Sequence, residues 1–491
     1  MWATVCQNAG VMAHGRHDVT HPLNGIPSLA RAATLIRSRR LSPVELTEQC
    51  LEQVERCDET VRAFTTLTAD DARAAALRAE HELAHGYWRG PLHGIPVGFK
   101  DTIDVGGIPT RAQSHQMDGY VPAADAASVS RWFEAGAVSL GKLTTHEFAF
   151  GSPAWDVPGP PARNPWNTLH FAGGSSSGAA AGVACAMMLG ALGSDTAGSI
   201  RSPAALCGVS GFKPGRNGIV RRGSLPLAMS LDALGVIARN VEDCAVLFDA
   251  LADSRAALPR DRSDTGRIAL DTDLRNLRVG VVRNFFSGAA PVSDALSDAV
   301  EQALPVLSVQ GCRVVDVTLR SLQDWNAAGM VLLLAEAFAL HAPWLRERMS
   351  QYGRSFSDAV LLGATLDAGH YVDAMHARRI MAAELDTVME RCDLLIAPIQ
   401  PGEAPLLEAA TQWGFLERPS YGIPFNLSDN PALSLGCGFG PNGLPLAFQL
   451  IGRRGEEVTV LRAGHSFQTQ TDWHERSPPC PLPGSLPAIA G

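Results

Sequence analysis

Residues 173–203 of the 491-residue chain read GGSSSGAAAGVACAMMLGALGSDTAGSIRSP. The alanine- and glycine-rich run at 178–192 predicts a helix that is apolar on every side, and such a helix belongs in a protein interior. It is too short to cross a membrane, which takes about 20 residues. Serines at 175–177 stand where hydroxyls cap a helix start, and Ser199 lies in a second glycine-bracketed turn. This arrangement indicates that hydroxyl groups are brought to one place, although a plain cap and a tight turn would use the same residues.

The two turns together are more specific than either turn alone. They match the pattern Gly-Gly-Ser-Ser/Gly, then Asp-x-Gly/Ala-x-Ser-aliphatic-Arg-x-Pro, through Gly173, Gly174, Ser175, Ser176, Asp195, Ala197, Ser199, Ile200, Arg201 and Pro203. The key serines are 24 positions apart (199 − 175 = 24). Upstream, GPLHGIPVGFKD places Lys100 in a GIPxxxKD context. In these features the chain resembles the amidase signature family, over roughly residues 28–477 and most strongly over 91–245.

The resemblance implies a Ser–cisSer–Lys catalytic triad that needs no metal or cofactor. In it Ser199 is the nucleophile that forms an acyl-enzyme. Ser175 follows a cis peptide bond and bridges Ser199 to Lys100, the base that later returns a proton to the leaving amine. The resemblance also implies an oxyanion hole made by the backbone N–H groups of Thr196, Ala197, Gly198 and Ser199. Donors fixed at a developing negative charge are each worth about 10²–10³ in rate.

Two residues of this chain depart from the usual family pattern. Ser177 and Ala197 stand where family members commonly have glycine. A Cβ at position 197 would narrow the pocket floor, or restrict the backbone if φ there must be positive. Asp195 and Arg201 flank the nucleophile, and we expect them to form a structural ion pair rather than to take part in the chemistry.

Lys100 follows the apolar run 95–99, which predicts a buried strand. From position alone, a lysine after such a run indicates a surface charge. The family resemblance implies the opposite, a buried amine. Burial lowers a lysine pKa because it disfavours the charged form. A neutral lysine can serve as a base near neutral pH, which a serine nucleophile without histidine requires.

The amino-acid composition excludes several classes of protein. The chain has 41 basic and 50 acidic residues, a net charge of −9, and 46% hydrophobic residues, which is ample for a core. The acidic balance argues against a nucleic-acid partner. Ten cysteines form no CxxC pair, so neither a zinc ribbon nor a thioredoxin motif is encoded. The N-terminus has no signal-peptide pattern, and we expect a cytoplasmic protein without a membrane partner.

The chain is expected to form one large α/β domain at 27–477, preceded by a flexible leader at 1–26 and followed by a proline-rich tail at 478–491. We predict a mixed, mostly parallel central sheet covered by helices on both faces. An N-terminal helical layer at 28–86 precedes a catalytic core at 91–245. Further predicted elements are helices at 128–136, from 241, 293–309, within 320–385 and 456–470, strands at 137–141, 277–282, 312–317 and 394–398, a loop at 254–275, and two closing strands after 424.

Three motifs typical of other chemistry are disfavoured by their context. HELAH at 81–85 matches the zinc-protease HExxH, but it lies at an exposed helix end and lacks a third ligand. GFGPNG at 438–443 fits a dinucleotide loop, but a strand follows it instead of a helix. GSSSG at 174–178 fits the esterase elbow and would make Ser176 the nucleophile. The elbow would also need a downstream Asp and His, and no histidine context singles one out.

The segment GKLTTHEFAFG resembles the family's GKTNMDEFAMG, which leads into the substrate cleft. By that alignment Ala149 and Phe150 line the pocket, and residues 148–160 and 320–385 shape it. We expect an amidase acting on a small-molecule amide, with carbamates, aryl amides and esters open as substrates, and a homodimer, as is common in the family. The alternatives are the glutaminase subunit of a glutamine-dependent amidotransferase, an esterase, or a binding protein with a relic site.

Overall fold

The computed structural model describes residues 25–252, 270, 274–288 and 291–479. The helices are α1 Leu29–Arg37, α2 Pro43–Val61, α3 Ala69–Ala84, α4 Ala127–Glu134, α5 Ser177–Ala184, α6 Arg201–Cys207, α7 Val241–Asp249, α8 Asp294–Val309, α9 Leu322–Arg348, α10 Arg354–Leu361, α11 Ala368–Met389, α12 Gly414–Glu417, α13 Ile423–Leu427 and α14 Glu457–Gln468. The strands are β1 Phe64–Leu67, β2 Pro96–Lys100, β3 Val138–Leu143, β4 Gly190–Asp195, β5 Ser210–Lys213, β6 Ala233–Ala238, β7 Arg278–Val282, β8 Arg313–Val317, β9 Leu394–Pro398, β10 Ala432–Phe439 and β11 Pro445–Gly452. Most of the expected leader, tail and 254–275 loop lies outside the described residues.

One 11-stranded sheet, in the order β1-β3-β2-β4-β6-β5-β10-β11-β9-β7-β8, runs through the described chain. The predicted α/β domain with a mixed sheet is confirmed. The expectation that the sheet is mostly parallel is wrong. Parallel pairs join β3 to β2 to β4 and β9 to β7 to β8, whereas β1 and the central strands pair antiparallel. The closing hairpin β10–β11 contributes to this difference, because it inserts in the middle of the sheet between β5 and β9.

The apolar run at 178–192 is a helix followed by a strand, not one helix. Helix α5 ends at Ala184, and the chain turns through Ala186 at φ +55° before β4 begins at Gly190. All residues of α5 and β4 are buried. A strand buried on both faces reads as a continuous apolar run, so periodicity cannot separate it from a buried helix.

The N-terminal segment folds into the helices α1, α2 and α3 and one short strand, β1. The Ser42 hydroxyl and the Glu45 carboxylate form a capping box at the start of α2, with Pro43 in the first turn. The sequence prediction missed β1, which pairs with β3 at the edge of the sheet. The short strand between two strongly helical segments offers only four residues of pattern.

Helix α9 extends into a short 3₁₀ turn, and residues Leu322–Gln351 are long and apolar enough to cross a membrane by length and composition. Half of its most apolar window is buried inside the fold. The helix packs against α10, α11 and α13. These contacts are typical of a core helix of a globular domain.

Gly178 sets how closely α5 approaches the neighbouring backbone. A methyl group at this position would lie 2.2 Å from Ala63 O and 2.6 Å from Thr144 N. Because neither atom belongs to a flexible side chain, we predict that Gly178→Ala lowers the free energy of unfolding by about 2 kcal/mol or more, despite the better helix propensity of alanine.

Gly182→Ala in the same helix is the matched control. Its methyl group would meet Met188 Cε at 2.7 Å, and that flexible end can rotate away. Calorimetric unfolding of the two variants should therefore show the larger loss for Gly178→Ala. Equal losses would contradict the packing described for α5.

Candidate active site

Two neighbouring parallel strands, β2 and β4, bring the predicted site residues to one edge of the sheet. Strand β2 ends at Lys100 and β4 ends at Asp195, and their register pairs Phe99 with Leu192. Because the carboxyl ends of parallel strands meet at the same edge, Lys100 lies beside the residues that follow Leu192. The serine turn before α5 packs here, and the N–H of Ser176 donates to Ser199 O at 3.1 Å. The peptide bond Gly174–Ser175 is cis, as predicted.

The Lys100 amine is fully buried among hydroxyl groups. Its Nζ donates to Ser175 Oγ at 2.7 Å and to Ser194 Oγ at 2.9 Å. Burial lowers the pKa of Lys100 to about 7, against the opposing attraction of Asp195 and Asp232. The amine is therefore poised between its charged and neutral forms near neutral pH.

The chain contains three lysines, and all of them are buried, which makes their partners comparable. Lys142 is paired with the Asp101 carboxylate at 3.0 Å and also donates to Thr110 Oγ1 at 2.7 Å. Lys213 donates to two backbone carbonyls, Pro214 O at 3.0 Å and Asn430 O at 2.7 Å. Both partners of Lys100 are hydroxyls, which can either accept a proton from the amine or donate one to it. Of the three, Lys100 is thus the one best placed to exchange protons.

The Asp195 carboxylate holds the turn that carries Ser199. Its Oδ1 accepts from the N–H of Gly198 at 2.8 Å, and its Oδ2 accepts from that of Ile200 at 3.1 Å. Gly198 has φ +111°, a conformation that favours glycine. Because the Gly198 N–H already donates to Asp195, it can serve an oxyanion only by sharing its hydrogen between the two acceptors. The backbone N–H groups of Thr196, Ala197 and Ser199 have no acceptor among the described residues.

The predicted ion pair between Asp195 and Arg201 is confirmed, with Arg201 Nη2 2.9 Å from Asp195 Oδ1 and both side chains fully buried. Burial alone would raise the pKa of Asp195, but the charge and hydrogen bonds of Arg201 hold it well below its usual range. Arg201 also donates to Gln449 Oε1 at 2.7 Å and Asn426 Oδ1 at 2.6 Å. This network fastens the turn that carries Ser199 to the strands and helices of the second half of the chain.

Both departures from the family pattern are accommodated. Ala197 is not among the residues with positive φ in the described chain, so its Cβ carries no backbone penalty. Ser177 begins α5, and its hydroxyl donates to Thr144 O at 3.3 Å.

A cavity of about 630 Å³ opens over the two serine turns. Ser175 and Ser199 line it, as do Ala149 and Phe150, the residues predicted for the pocket. Apolar and aromatic side chains form much of the rest of its wall: Phe171, Met330, Leu333, Ile399, Phe415, Tyr421 and Ile423. Polar and charged residues also line it, among them Gln400, Glu403, Glu417 and Arg418. Residues of 148–160 and of α9 contribute to it, as expected. The wall at 399–423 was missed because no motif marks it.

Other residues of the site could not be identified from the sequence. Ser194, which contacts Lys100, lies inside an apolar run and reads as part of it. Asp232 accepts the hydroxyl of Thr196 at 2.6 Å. Asn426 and Gln449 lie more than 200 positions from the residues they hold, and nothing local in the sequence points to such partners.

The rejected motifs serve other purposes. The Ser176 hydroxyl is fully buried and donates to Ser194 O at 3.2 Å, so it does not face the cavity as an esterase nucleophile would. In the HELAH segment Glu82 pairs with Arg89, and the His85 ring contacts the backbone of His81. Residues 438 and 439 end β10, and residues 440–444 connect it to β11.

Comparison with known proteins places the chain in a family. The Amidase family model matches residues 45–461. The A subunit of glutamyl-tRNA(Gln) amidotransferase from Roseiflexus sp. is 36% identical, with 93% of this chain and 98% of that protein covered. The structure of native peptide amidase from Stenotrophomonas maltophilia has a TM-score of 0.79 at 27% identity, covering 93% of this chain and 99% of that one. The structure of the A subunit of glutamyl-tRNA(Gln) amidotransferase from Thermotoga maritima has a TM-score of 0.76 at 27% identity, covering 94% and 99%. The chain therefore belongs to the amidase signature family, whose enzymes are C–N hydrolases.

Proposed function

We propose that this chain is an amidase that hydrolyses carboxylic amides through an acyl-enzyme on Ser199. The observation that carries the proposal is the Lys100 amine, buried without a carboxylate partner in the described chain and 2.7 Å from Ser175 Oγ. A charged amine without a directly bonded carboxylate is costly to bury, so burial shifts Lys100 towards its neutral form and lowers its pKa to about 7. A neutral amine hydrogen-bonded to a serine beside a second, cavity-lining serine supplies a base and a nucleophile.

The proton path in this proposal uses both serines. Neutral Lys100 takes the proton of Ser175, Ser175 takes that of Ser199, and Ser199 Oγ attacks the amide carbonyl carbon. When the C–N bond breaks, the proton returns from Lys100 through Ser175 to the leaving nitrogen. Water then attacks the acyl-enzyme by the same route and releases the carboxylic acid. The hydrogen bond of Lys100 Nζ with Ser194 Oγ restrains the amine beside Ser175.

The negative charge that develops on the carbonyl oxygen needs fixed donors. In this proposal the N–H groups of Thr196, Ala197 and Ser199 supply them, with that of Gly198 shared with Asp195. Donors already in place cost no reorganisation when the charge appears. The Asp195–Arg201 network keeps this turn in position, because it anchors the residues on both sides of Ser199.

The cavity favours a small-molecule amide with an apolar or aryl acyl group. Its aromatic and aliphatic wall gains free energy from burying apolar surface, at about 25 cal/mol per Å². Aliphatic amides, carbamates and esters would use the same chemistry. We place such an enzyme in the cytoplasm and propose a homodimer as its assembly.

A second candidate is the amidase component of a glutamine-dependent amidotransferase, which the 36% identity to the Roseiflexus protein favours. It shares the fold and the proposed triad and would release ammonia from glutamine for a partner subunit. The purified chain separates the two: an amidase hydrolyses benzamide and similar amides by itself. Ammonia release from glutamine with no turnover of simple amides would favour the amidotransferase component instead.

Substitution of the nucleophile tests the proposal directly. We predict that Ser199→Ala loses amide hydrolysis by at least about 10³-fold, because it removes the hydroxyl that forms the acyl-enzyme. Intact-mass analysis after treatment with phenylmethylsulfonyl fluoride should show one adduct, mapped to Ser199 and absent from Ser199→Ala. Ser176→Ala is the control and should keep the adduct. An adduct on Ser176 would revive the esterase elbow, and no adduct on the wild type would point to a relic site.

The pH dependence of kcat/KM tests the base. Because only the neutral amine accepts a proton, and burial lowers the pKa of Lys100 to about 7, kcat/KM should rise with pH through about 7 and then level off. Below that pH it should fall about tenfold per unit. Lys100→Met should lose nearly all activity, and the rise of kcat/KM with pH should be absent from what remains. A wild-type profile that is flat from about pH 5 to 9 would rule out Lys100 as the base.

A further inference from the structure

His146 lies in the cavity wall beside the serine turn, and the proposed mechanism gives it no part. Its side chain is buried, since the residue is only 7% exposed, and it lines the cavity. The imidazole stacks on Phe171 with ring centroids 5.9 Å apart. Its other neighbour is the backbone of Gly174, so close that a Cβ at Gly174 would lie 2.3 Å from Nε2. The ring is therefore held between an aromatic side chain and the peptide that leads into Ser175.

The hydrogen bonds of the ring define which nitrogen carries the proton. His146 Nδ1 is 2.9 Å from Gly151 O, and a carbonyl oxygen only accepts, so Nδ1 donates. Burial lowers the pKa of His146 to about 4, and the nearby Lys100 charge also acts to lower it, so the ring is neutral in the working range. Nε2 is then a bare lone pair, and no side chain or backbone N–H of the described chain bonds to it.

The position of Nε2 places it nearer the leaving group of a bound amide than the carbonyl oxygen in the proposed mechanism. The candidate oxyanion donors lie on the turn 196–199, whereas the Cε1–Nε2 edge of the His146 ring faces Gly174 on the serine turn. Gly174 is next to Ser175, the group that returns the proton to the leaving nitrogen in the proposed mechanism. An acceptor in the cavity wall at this place is matched by a donor on the leaving group.

We propose that His146 Nε2 accepts a hydrogen bond from the N–H of the substrate's leaving amide nitrogen, and so selects amides over esters of the same acid. This inference rests on the proposed amidase function and adds a specificity-determining residue to it. A primary amide offers the required hydrogen. The leaving oxygen of an alkyl ester carries none, and its lone pairs would face that of Nε2, leaving both acceptors unsatisfied.

The experiment compares benzamide with methyl benzoate, which share one acyl group, on the wild type and two variants. In His146→Asn the side-chain amide can still donate to Gly151 O, but the acceptor at the Nε2 position is gone. We expect kcat/KM for benzamide to fall about tenfold, the value of one hydrogen bond, with little change for methyl benzoate. His146→Gln, whose Oε1 can reach the Nε2 position, should recover part of the amide-to-ester ratio.

Two measurements separate this proposal from a structural role and from failure of the proposed function. The rate at which phenylmethylsulfonyl fluoride labels Ser199, a reaction without a leaving N–H, should be the same in His146→Asn and the wild type. An equal fall for amide and ester, or an unchanged amide rate, would overturn the role of His146 while leaving the amidase proposal standing. A wild type that neither cleaves benzamide nor labels at Ser199 would instead overturn the proposed function, and this inference with it.

Discussion

The burial of one amine without a carboxylate partner in the described chain is the constraint on which this site depends. Lys100 ends β2 in the sheet interior, where the hydroxyls of Ser175 and Ser194 accept its hydrogen bonds. An ion pair like that of Lys142 with Asp101 would favour the charged form of such an amine and make it a poor base. The parallel pairing of β2 with β4 and the packing of α5 against both strands bring the two hydroxyls there. Sheet register and proton chemistry are thus set by the same contacts.

A second buried group, the Asp195 carboxylate, is held in its charged form. Asp195 is kept ionised by Arg201, and its two oxygens accept hydrogen bonds from the backbone of the turn that carries Ser199. Removing one partner from a buried pair typically costs about 3–5 kcal/mol, because it leaves an uncompensated charge. Gln449 and Asn426 complete the hydrogen bonds of Arg201, so the late strands and helices of the chain support a turn encoded near its middle. A rigid charged network and an amine whose pKa burial lowers to about 7 thus lie at the adjacent carboxyl ends of β4 and β2.

Features of the fold and the site that depend on short stretches of sequence could be predicted. The serine turns, the lysine context and most helices and strands could be read from short patterns, and Ala149 and Phe150 do line the cavity. Long-range features could not be read in this way. The run at 178–192 hid the boundary between α5 and β4 because both elements are buried on every side. The insertion of β10–β11 in the middle of the sheet, which makes the sheet less parallel than expected, depends on pairing across more than 200 residues. Residues such as Asn426 and the wall at 399–423 carry no signal, since only the folded chain brings them to the site.

The protonation of Lys100 is the quantity that tests the central claim most directly. The chain has only three lysines, so protein labelled with ¹³C at lysine Cε gives three resonances, which Lys→Met variants would assign. If Lys100 is the base, its resonance should titrate with a midpoint near 7, the value to which burial lowers its pKa. A Lys100 resonance that stays in its charged form up to about pH 10, the ordinary range of a lysine, would contradict the account, because the amine could then take no proton from Ser175 at working pH.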